Sequence, residues 1–324
     1  MHQIIRHLAV WLLAAIAMSQ PALAAYPEKD ITFIIPTGPG GTFDAFVRTI
    51  GHVMERYLPN KVHVVPLNIP GGNGSKAVGT TFRARPDGYT IQIFDIPGAL
   101  LPQIANQPPP EYDLRDFTWL GYIGQDPYGM AVNGHSAVKS VEELKGLGRP
   151  VKFLSTGAGA TSYLATRITS EILGINANFI TGYRGANEYV IGAIRGDGDA
   201  AVAVLPMLRK YKDSGDLRVI AYLTKQSPDP EVLTAAQLGH PELANLSVIR
   251  LIGGPPGLPP DVKAVLEEAL LKAMADPETV KATELLGANL DPKGGDEAKA
   301  VLLDSIAFYT RYRKYILEDG GAEK

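Results

Sequence analysis

Residues 31–48 read ITFIIPTGPGGTFDAFVR, which is the pattern of a strand, a glycine-rich loop and a helix in succession. The apolar, β-branched run Ile31–Ile35 predicts a buried strand, and Pro36 bounds it. In the loop 37–42, glycines leave backbone N–H groups uncovered by side chains, and the apolar spacing that follows predicts a helix over 43–57. Free amides beside the positive end of a helix dipole predict an anion-binding site.

A second segment repeats this arrangement further along the chain. Val151–Leu154 predicts another short strand, residues 155–161 (STGAGAT) another glycine loop, and residues 162–173 another helix. Two loops of this kind indicate two domains that offer amide donors to one anion bound between them. The first loop does not have the G-x-G-x-x-G spacing of a dinucleotide site, and residues 71–76 lack the spacing of a Walker phosphate loop.

The composition is that of an ordinary globular protein. The chain has 324 residues, of which 45% are hydrophobic and 20% are charged, and this length favours two domains of usual size. A formal net charge of −3 and the lack of a basic run argue against nucleic acid as the main partner. The chain has no cysteine, which excludes a disulfide framework, thiolate metal ligands and a lipoprotein cleavage site.

The N-terminus predicts export. Basic residues precede an apolar stretch over 8–18, and the sequence then reaches Pro-Ala-Leu-Ala at 21–24. These are the positive region, the apolar region and the small-residue cleavage site of a secretory signal peptide. The apolar run is too short for a transmembrane helix. We expect residues 1–24 to be removed after Ala24, and we expect the mature chain to be a soluble protein of a bacterial periplasm.

The rest of the chain alternates between strand and helix patterns, which favours an α/β fold with mostly parallel sheets and right-handed crossovers. In such sheets ligands bind at the carboxyl ends of the strands, where both glycine loops fall. Further strands are predicted at 61–67, 89–94, 178–183, 200–205 and 217–223, and further helices at 75–83, 185–195, 262–273, 277–286 and 296–317.

Two segments predict passages between the domains. Residues 117–132 predict extended chain with a break near 125–127, where we place the first crossing. Residues 247–253 predict the return crossing. The two lobes are then residues 25–126 plus 247–324, and residues 127–246.

The mature chain contains the motifs Tyr26-Pro27-x-Lys29-x-Ile31, Pro36…Gly40-Gly41-Thr42-x-Asp44…Arg48, Pro70-Gly71-Gly72-Asn73-Gly74, Pro86-Asp87-Gly88-Tyr89-Thr90, Gly157-x-Gly159, Tyr183-Arg184-Gly185-Ala186, Leu258-Pro259-x-x-Val262, Asp276-Pro277 and Gly287. Because these motifs occur in this order and spacing, the chain resembles the substrate-binding receptors of tripartite tricarboxylate transporter systems, of the Bug or TctC type. No single motif is specific, but together they cover essentially the whole mature chain.

The resemblance implies an α/β, two-lobed periplasmic-binding-protein fold of the Venus flytrap, type II-like kind, with two interdomain crossovers. It also implies no catalysis, and the delivery of a small carboxylate to the membrane permease subunits of a transporter. We expect neither a cofactor nor a metal, because the sequence has no His-Glu-x-x-His motif or carboxylate cluster that would indicate a metal site. In this family, two glycine-containing loops bind the carboxylate largely through backbone amides and ordered water. Carried over by position, the ligand-binding residues are Thr37, Gly38, Gly40, Gly41, Thr42, Phe43 and Asp44 in lobe one, Thr156, Gly157, Gly159, Ala160, Thr161 and Ser162 in lobe two, and Asp95, Tyr183, Gly185 and Leu205 at strand ends.

The sequence departs from the family pattern around the pocket. Gly38-Pro39 stands where the family tends to have proline and a small residue, and Phe43 replaces a small residue. Tyr163 occupies the place of a common histidine, and Phe94-Asp95-Ile96 is bulkier and more acidic than the usual small polar residues. These differences leave the bound acid open between an aliphatic di- or tricarboxylate, an aromatic acid and an amino-acid derivative.

Three charged residues near the predicted pocket have more than one interpretation. Asp44 is typical of a helix start, and as a direct ligand it would repel a carboxylate. Asp95 has the same ambiguity, and could instead receive a hydroxyl or an amine at the far end of the ligand. Arg184 is a candidate carboxylate partner, but in a strand it would point away from the face of Tyr183, which we therefore favour.

Two other functions are compatible with the sequence. A sensory receptor for the same carboxylate would have identical binding chemistry and would differ only in its partner. An exported hydrolase or lyase would use Asp44 with Tyr163 as acid–base partners. The chain has neither a G-x-S-x-G nucleophile elbow nor a His-Glu-x-x-His metal motif, so we expect a receptor rather than an enzyme.

Overall fold

The computed structural model describes residues 26–106, 108–157, 160–227 and 229–320 of the chain. The predicted signal peptide at 1–24 and the predicted ligand-binding residue Gly159 lie outside the described residues. Within the described part, strands and helices alternate along the chain, so the predicted α/β class is confirmed.

The strands of the described chain are β1 (Ile31–Ile35), β2 (Val64–Asn68), β3 (Thr90–Ile96), β4 (Thr118–Asn133), β5 (Val151–Leu154), β6 (Ala177–Ile180), β7 (Ala200–Val204), β8 (Leu217–Tyr222) and β9 (Ser247–Gly254). They are joined in the order β2-β1-β3-β9-β4-β7-β5-β6, with β8 paired to β4. The first three strands of this order belong to the first lobe and the last three to the second, while β9 and β4 lie between them.

The helices of the described chain are α1 (Thr42–Met54), α2 (Ser75–Phe82), α3 (Leu101–Ala105), α4 (Val141–Lys145), α5 (Thr161–Ile172), α6 (Ala186–Arg195), α7 (Leu205–Asp213), α8 (Pro260–Ala275), α9 (Pro277–Leu285), α10 (Gly295–Arg311) and α11 (Arg313–Gly320). Side-chain caps begin two of them. The Ser140 hydroxyl accepts from the Glu143 amide at 3.1 Å at the start of α4, and Asp276 accepts from the Glu278 amide at 2.8 Å at the start of α9.

β4 carries the chain from the first lobe into the second. Its first part pairs with β9, as far as Pro127 opposite Ser247, and its last part pairs with β7 and β8, from Tyr128 opposite Val204. The strand is continuous through 125–127, so the predicted break is wrong. The partners of β4 change from β9 to β7 and β8 at this point, and the position of the domain crossing stays a prediction. The prediction of two lobes joined by crossing strands is confirmed, and the residue limits of the lobes stay a prediction.

The strand directions differ in part from the prediction. β1 is parallel to β2 and β3, and β5 is parallel to β6 and β7, as expected for strand–helix–strand units. β4 and β9 run antiparallel to each other and to their other neighbours. The prediction of mostly parallel sheets is therefore wrong at the centre, because two strands that carry the chain between lobes in opposite directions are antiparallel.

Alternating apolar side chains decide which face of the first lobe each helix covers. Phe33 of β1 and Ile93 of β3 pack in one cluster with Phe46 of α1 and Leu266 of α8. Phe94, the next residue of β3, faces the other side and packs in a cluster that continues into the second lobe. Each of these side chains is at most 1% exposed, and burial of each contributes about 1.5–3 kcal/mol.

The C-terminal segment forms two helices rather than the single helix predicted over 296–317. The break falls at Tyr312, whose φ of −104° and ψ of 16° leave the helical range. Arg313, at the start of α11, donates two hydrogen bonds of 2.8 and 3.1 Å to carbonyl groups at the end of α3. On its other side, the Tyr315 hydroxyl donates to Glu171 of α5 at 3.5 Å. The helix α11 therefore contacts both lobes.

Two strands of the second lobe end earlier than predicted. The strand predicted over 178–183 ends at Ile180. The strand predicted over 200–205 ends one residue early, and Leu205 begins α7. The sequence analysis misses this helix because Pro206, which bounds the strand pattern, also fits the first turn of a helix.

Candidate functional site

The carboxyl ends of strands from both lobes meet near the crossing of β4 and β9. In the first lobe, Asp95 near the end of β3 pairs with Arg250 of β9. In the second lobe, Val204 at the end of β7 pairs with Tyr128 of β4. Between these two residue pairs, β4 passes from one lobe to the other at Pro127. Loops that follow these strand ends therefore emerge around the crossing, the usual place for a ligand in an open α/β sheet.

The first glycine loop leads from β1 into α1. Gly40 has a φ of 85°, in the left-handed region that favours glycine, and Gly41 is the N-cap residue of α1 and provides no side-chain cap. Gly40, Gly41 and Thr42 are exposed, and Gly38 is half-buried. Phe43 is half-buried and packs on the core of the first lobe. The loop therefore presents the start of α1 to solvent.

Asp44 is buried beneath this loop and holds it by hydrogen bonds. Its Oδ2 accepts hydrogen bonds from the Gly40 amide and from Arg48 Nε, both at 3.0 Å, and its Oδ1 accepts from Asn68 Nδ2 at 2.9 Å. The residue is 5% exposed. The hydrogen bond from Arg48, and then that from the Gly40 amide, lowers the pKa of Asp44 to about 2. The carboxylate is thus ionised and bound to protein donors, which makes it unsuited to be the acid of a hydrolase.

Asn68, which the sequence analysis did not single out, ties the loop to the neighbouring strand. Parallel pairing of β1 and β2 places Asn68 opposite Ile35. Asn68 Nδ2 donates to the carbonyl of Thr37 at 3.0 Å as well as to Asp44. The hydroxyl of Thr37 is buried and has no hydrogen-bond partner among the described residues. A Cβ placed on Gly41 would lie 4.0 Å from this hydroxyl, so Thr37 adjoins the start of α1.

The second glycine loop leads from β5 into α5 and is held by hydroxyl groups. Thr156 Oγ1 and Ser162 Oγ lie 2.7 Å apart, within hydrogen-bond distance. The amide of Ala160 donates to the carbonyl of Gly157 at 3.1 Å and closes a turn. Ala160 is also the N-cap residue of α5, which begins at Thr161, and it provides no side-chain cap. Both loops thus have a polar side chain of the first helical turn holding the loop, and an N-cap residue that leaves the amides uncovered.

Tyr183 and Gly185 lie in the loop before α6 and not at the end of a strand. The Tyr183 hydroxyl donates to Asp197 at 2.9 Å, so it is engaged within the second lobe. Arg184 forms an exposed ion pair with Glu188 at 2.6 Å. Tyr183 and Arg184 are not separated by strand alternation as predicted, because β6 ends before both residues. Gly185 is the N-cap residue of α6.

Leu205 begins α7, is 3% exposed and packs in the core of the second lobe. It also borders a cavity of about 430 Å³ between the lobes, to which Arg209 of α7 and residues Gly287 and Asn289 of the first lobe contribute. Cavities of this size hold small organic ligands. The described residues of the two glycine loops do not line this cavity and form no hydrogen bond with each other.

A buried ion pair, which the sequence analysis did not predict, lies where β4 and β9 cross. Arg250 is 1% exposed and donates from Nη1 and Nη2 to Asp126 Oδ2 at 2.9 and 2.6 Å. Its guanidinium also lies 4.8 Å from the ring centre of Phe46. Burial raises the pKa of Asp126 against the opposing attraction of Arg250, and burial lowers the pKa of Arg250. A charged residue inside an apolar strand is the one sequence signal of such a pair.

Asp95 lies inside β3, which extends to Ile96 and therefore beyond the predicted end of the strand. Its Oδ1 is buried and has no hydrogen-bond partner among the described residues. Burial raises the pKa of Asp95 to about 6, although the attraction of Arg250 opposes the shift. A Cβ on Gly98 would lie 2.9 Å from Asp95 Oδ2, so the glycine leaves room for the carboxylate.

The chemistry that these groups provide is hydrogen bonding and charge. The described residues include no group of three or more histidine, aspartate or glutamate side chains placed to hold a metal ion. In the same part of the chain, the helices are too short or too polar to cross a membrane.

A family model described as tripartite tricarboxylate transporter family receptor matches residues 47–302 of the chain. The protein belongs to this receptor family. Among curated relatives of the receptor, protein BugT of Bordetella pertussis is 25% identical over 302 residues, and the match covers 91% of each chain. The resemblance inferred from the sequence motifs is thus confirmed.

Solved structures also resemble the receptor. A TctC solute-binding protein from Polaromonas has a TM-score of 0.75 at 22% identity, over 89% of this chain and 98% of that chain. MatC from Rhodopseudomonas palustris, solved with bound malate, has a TM-score of 0.71 at 19% identity, over 90% of this chain and 100% of that chain. These likenesses concern the fold, and they confirm the two-lobed periplasmic-binding-protein architecture.

Proposed function

We propose that the receptor captures a small organic carboxylate between its two lobes in the bacterial periplasm and delivers it to the membrane permease of a tripartite tricarboxylate transporter. Two observations carry most of the weight. Each glycine loop leads into a helix whose N-cap residue has no capping side chain, and the chain belongs to a transporter receptor family. Uncapped helix starts are favourable places for a carboxylate. The predicted signal peptide supports a periplasmic location.

The proposed pocket lies between lobe one, residues 25–126 and 247–324, and lobe two, residues 127–246. Asp44 acts in it by holding the loop, since its oxygens are bound by protein donors. The bound malate of MatC supports a small carboxylate as the class of ligand. The proposed ligand-binding residues are Thr37, Gly38, Gly40, Gly41, Thr42, Phe43, Asp44, Asp95, Thr156, Gly157, Gly159, Ala160, Thr161, Ser162, Tyr183, Gly185 and Leu205.

Binding in such a pocket closes the lobes by a shift of population. Ligand contacts from both lobes stabilise the closed state, because the open state makes only one set of them. Movement of this kind is carried by the strands β4 and β9, which are the connections at the crossing. The closed, loaded receptor is then the form that the permease would recognise.

The first test is a thermal-shift measurement on the chain from Ala25 onwards against mono-, di- and tricarboxylates, aromatic acids and amino acids. A ligand that binds only the folded state stabilises it by RT ln(1 + [L]/Kd), about 2.7 kcal/mol at a hundredfold excess over Kd, or a few degrees in Tm. Stabilisation by a class of carboxylates is the expected result. If none of them shifts Tm and mass spectrometry of the denatured protein finds no retained acid, the proposed function is refuted.

The glycine loops are tested by Gly41→Val and Gly157→Val. Nothing lies closer than 4.0 Å to a Cβ built on Gly41, and nothing lies within 4 Å of one built on Gly157, so both variants are expected to fold. A branched side chain over the helix start should weaken binding of the stabilising acid by about a hundredfold, since it blocks charge-assisted hydrogen bonds. Gly41→Ala is the graded control, with a smaller loss. Unchanged affinity in both valine variants would exclude the loops as the binding site.

A further inference from the structure

The side chain of Asp95 lies on the face of the first lobe that α1 covers. Ile91 and Ile93 of β3 pack in the cluster that contains α1, and Asp95 is the next residue of the same face. On the neighbouring strand, Arg250 pairs with Asp95 in register and lies over the ring of Phe46 of α1. The carboxylate is therefore at the cleft end of β3, on the side of the first glycine loop.

Among the described residues, no cationic side chain makes an ion pair with this carboxylate. Asp95 Oδ1 is buried and has no hydrogen-bond partner among the described residues. Arg250, the nearest buried cation, directs both Nη atoms to Asp126, and its attraction reaches Asp95 without an ion-pair contact between the described side chains. One buried cation thus faces two aspartates, and when both are ionised this end of the cleft has an excess of one negative charge.

Thr37 offers a second polar group on the side of the lobe that α1 covers. It follows the end of β1, the strand that runs parallel and next to β3. The Thr37 hydroxyl is also buried without a partner among the described residues, and it adjoins Gly41 at the start of α1. A ligand carboxylate on the amides of α1 would therefore have the Thr37 hydroxyl next to it, which can donate to it, and the Asp95 carboxylate on the same side of the lobe.

We propose that Asp95 selects, among small carboxylates, those that also carry a protonated amine, such as amino acids, over the same acids without the amine. This inference rests on the proposed function. An ammonium group supplies the hydrogen-bond donor and the positive charge that Asp95 lacks, whereas a second carboxylate is repelled.

The test is isothermal titration calorimetry with matched pairs of ligands that differ by the amine: aspartate with succinate, glutamate with glutarate, and alanine with propionate. The wild-type receptor should bind the amine-bearing member more tightly by roughly ten- to a hundredfold, the range of a charge-assisted hydrogen bond. Asp95→Asn keeps the shape and removes the charge, and it should abolish this preference. Asp95→Ser should reverse it. Asp304→Asn, at an exposed aspartate of α10, is the matched control and should change nothing.

A pH series separates charge from shape. Asp95 has a pKa raised to about 6, so its ionised form prevails above that pH, and affinity for the amine-bearing ligand should increase from pH 5 to pH 7. Affinity for the dicarboxylate should decrease over the same range. Among the described residues, Arg250, Tyr128 and Tyr309 interact electrostatically with Asp95, and Asp126 is bound to the same Arg250. Burial raises the pKa of both tyrosines above the ordinary value, so they stay neutral. Asp95→Asn should flatten both curves, which excludes Asp126 as their source.

Equal or tighter binding of the amine-free member of each pair by the wild type, unchanged in Asp95→Asn, would refute this inference and leave the proposed carboxylate receptor standing. Failure of the wild type to bind any member of any pair, or any acid of the wider panel, would refute the proposed function itself. Circular dichroism of the Asp95→Asn variant, expected to match that of the wild type, ensures that a loss of preference reflects the site and not the fold.

Discussion

Removing the guanidinium at the crossing tests whether the buried ion pair stabilises the connection between the lobes. Arg250→Met replaces the charge by an apolar side chain and leaves Asp126 with one hydrogen bond, from the Asn289 amide at 3.1 Å. Two hydrogen bonds, of 2.6 and 2.9 Å, are lost. At about 1.5–3 kcal/mol for each charge-assisted bond, the free energy of unfolding should fall by about 3–5 kcal/mol, as is usual when one member of a buried pair is removed.

A second pair of similar geometry serves as the control. Arg184 and Glu188 approach to 2.6 Å, as Arg250 and Asp126 do, but the Arg184 side chain is 90% exposed and that of Arg250 is 1% exposed. Arg184→Met should therefore cost about 0.5 kcal/mol or less. The double variant Arg250→Met, Asp126→Leu should recover most of the loss, because no charge is then left buried without a partner.

The assay is urea unfolding followed by circular dichroism and by tryptophan fluorescence, with the free energy extrapolated to water. Coincidence of the two signals justifies a single free energy for both lobes. If Arg250→Met and Arg184→Met lower the free energy of unfolding by the same amount, or if the double variant is as unstable as Arg250→Met, the reasoning from burial is wrong.

Two further predictions concern the loop and the last helix. Because the pKa of Asp44 is lowered to about 2, its stabilising effect is present above the ordinary value of 3.8 and is lost as the pH falls through about 2. Asp44→Asn should therefore melt at a lower temperature at neutral pH, with a flatter decline of Tm between pH 4 and pH 2; parallel declines would contradict this. Tyr315→Ala should increase the radius of gyration of the ligand-free receptor in small-angle scattering, because it removes a contact between the lobes, and an unchanged radius would contradict that role.

Sequence patterns within short segments were sufficient to predict the strands, loops and helices that neighbouring residues determine. The apolar run Ile31–Ile35, the glycines after it and the helical spacing beyond Thr42 are all visible within one short segment, and the structure has a strand, a loop and a helix there. The same is true of Val151–Leu154 and the helix that follows it. The strand ends predicted at Leu205 and Tyr183 are wrong for a reason that is also local, because a proline or a short apolar run is compatible with both a strand and a helix or loop.

Contacts between residues that are far apart in the sequence could not be predicted from local sequence patterns. Arg250 and Asp126 are 124 positions apart, and each looked only like a charge within or beside an apolar run. Asn68 reaches Thr37 and Asp44 because of the register between β1 and β2, which no motif reveals. The physical reason is that such contacts depend on how separate strands are placed side by side, and one sequence contains no measure of that.

The helix α11 has a mechanical consequence for the receptor. The lobes are connected at the crossing of β4 and β9, and again through α11, where Arg313 is bound to the end of α3 and Tyr315 to Glu171 of α5. A body attached to another at two separate places can turn freely only about the line that joins those places. We therefore expect the lobes to open by rotation about a single axis through the crossing and α11, with twisting about other axes suppressed as long as the Tyr315 contact holds.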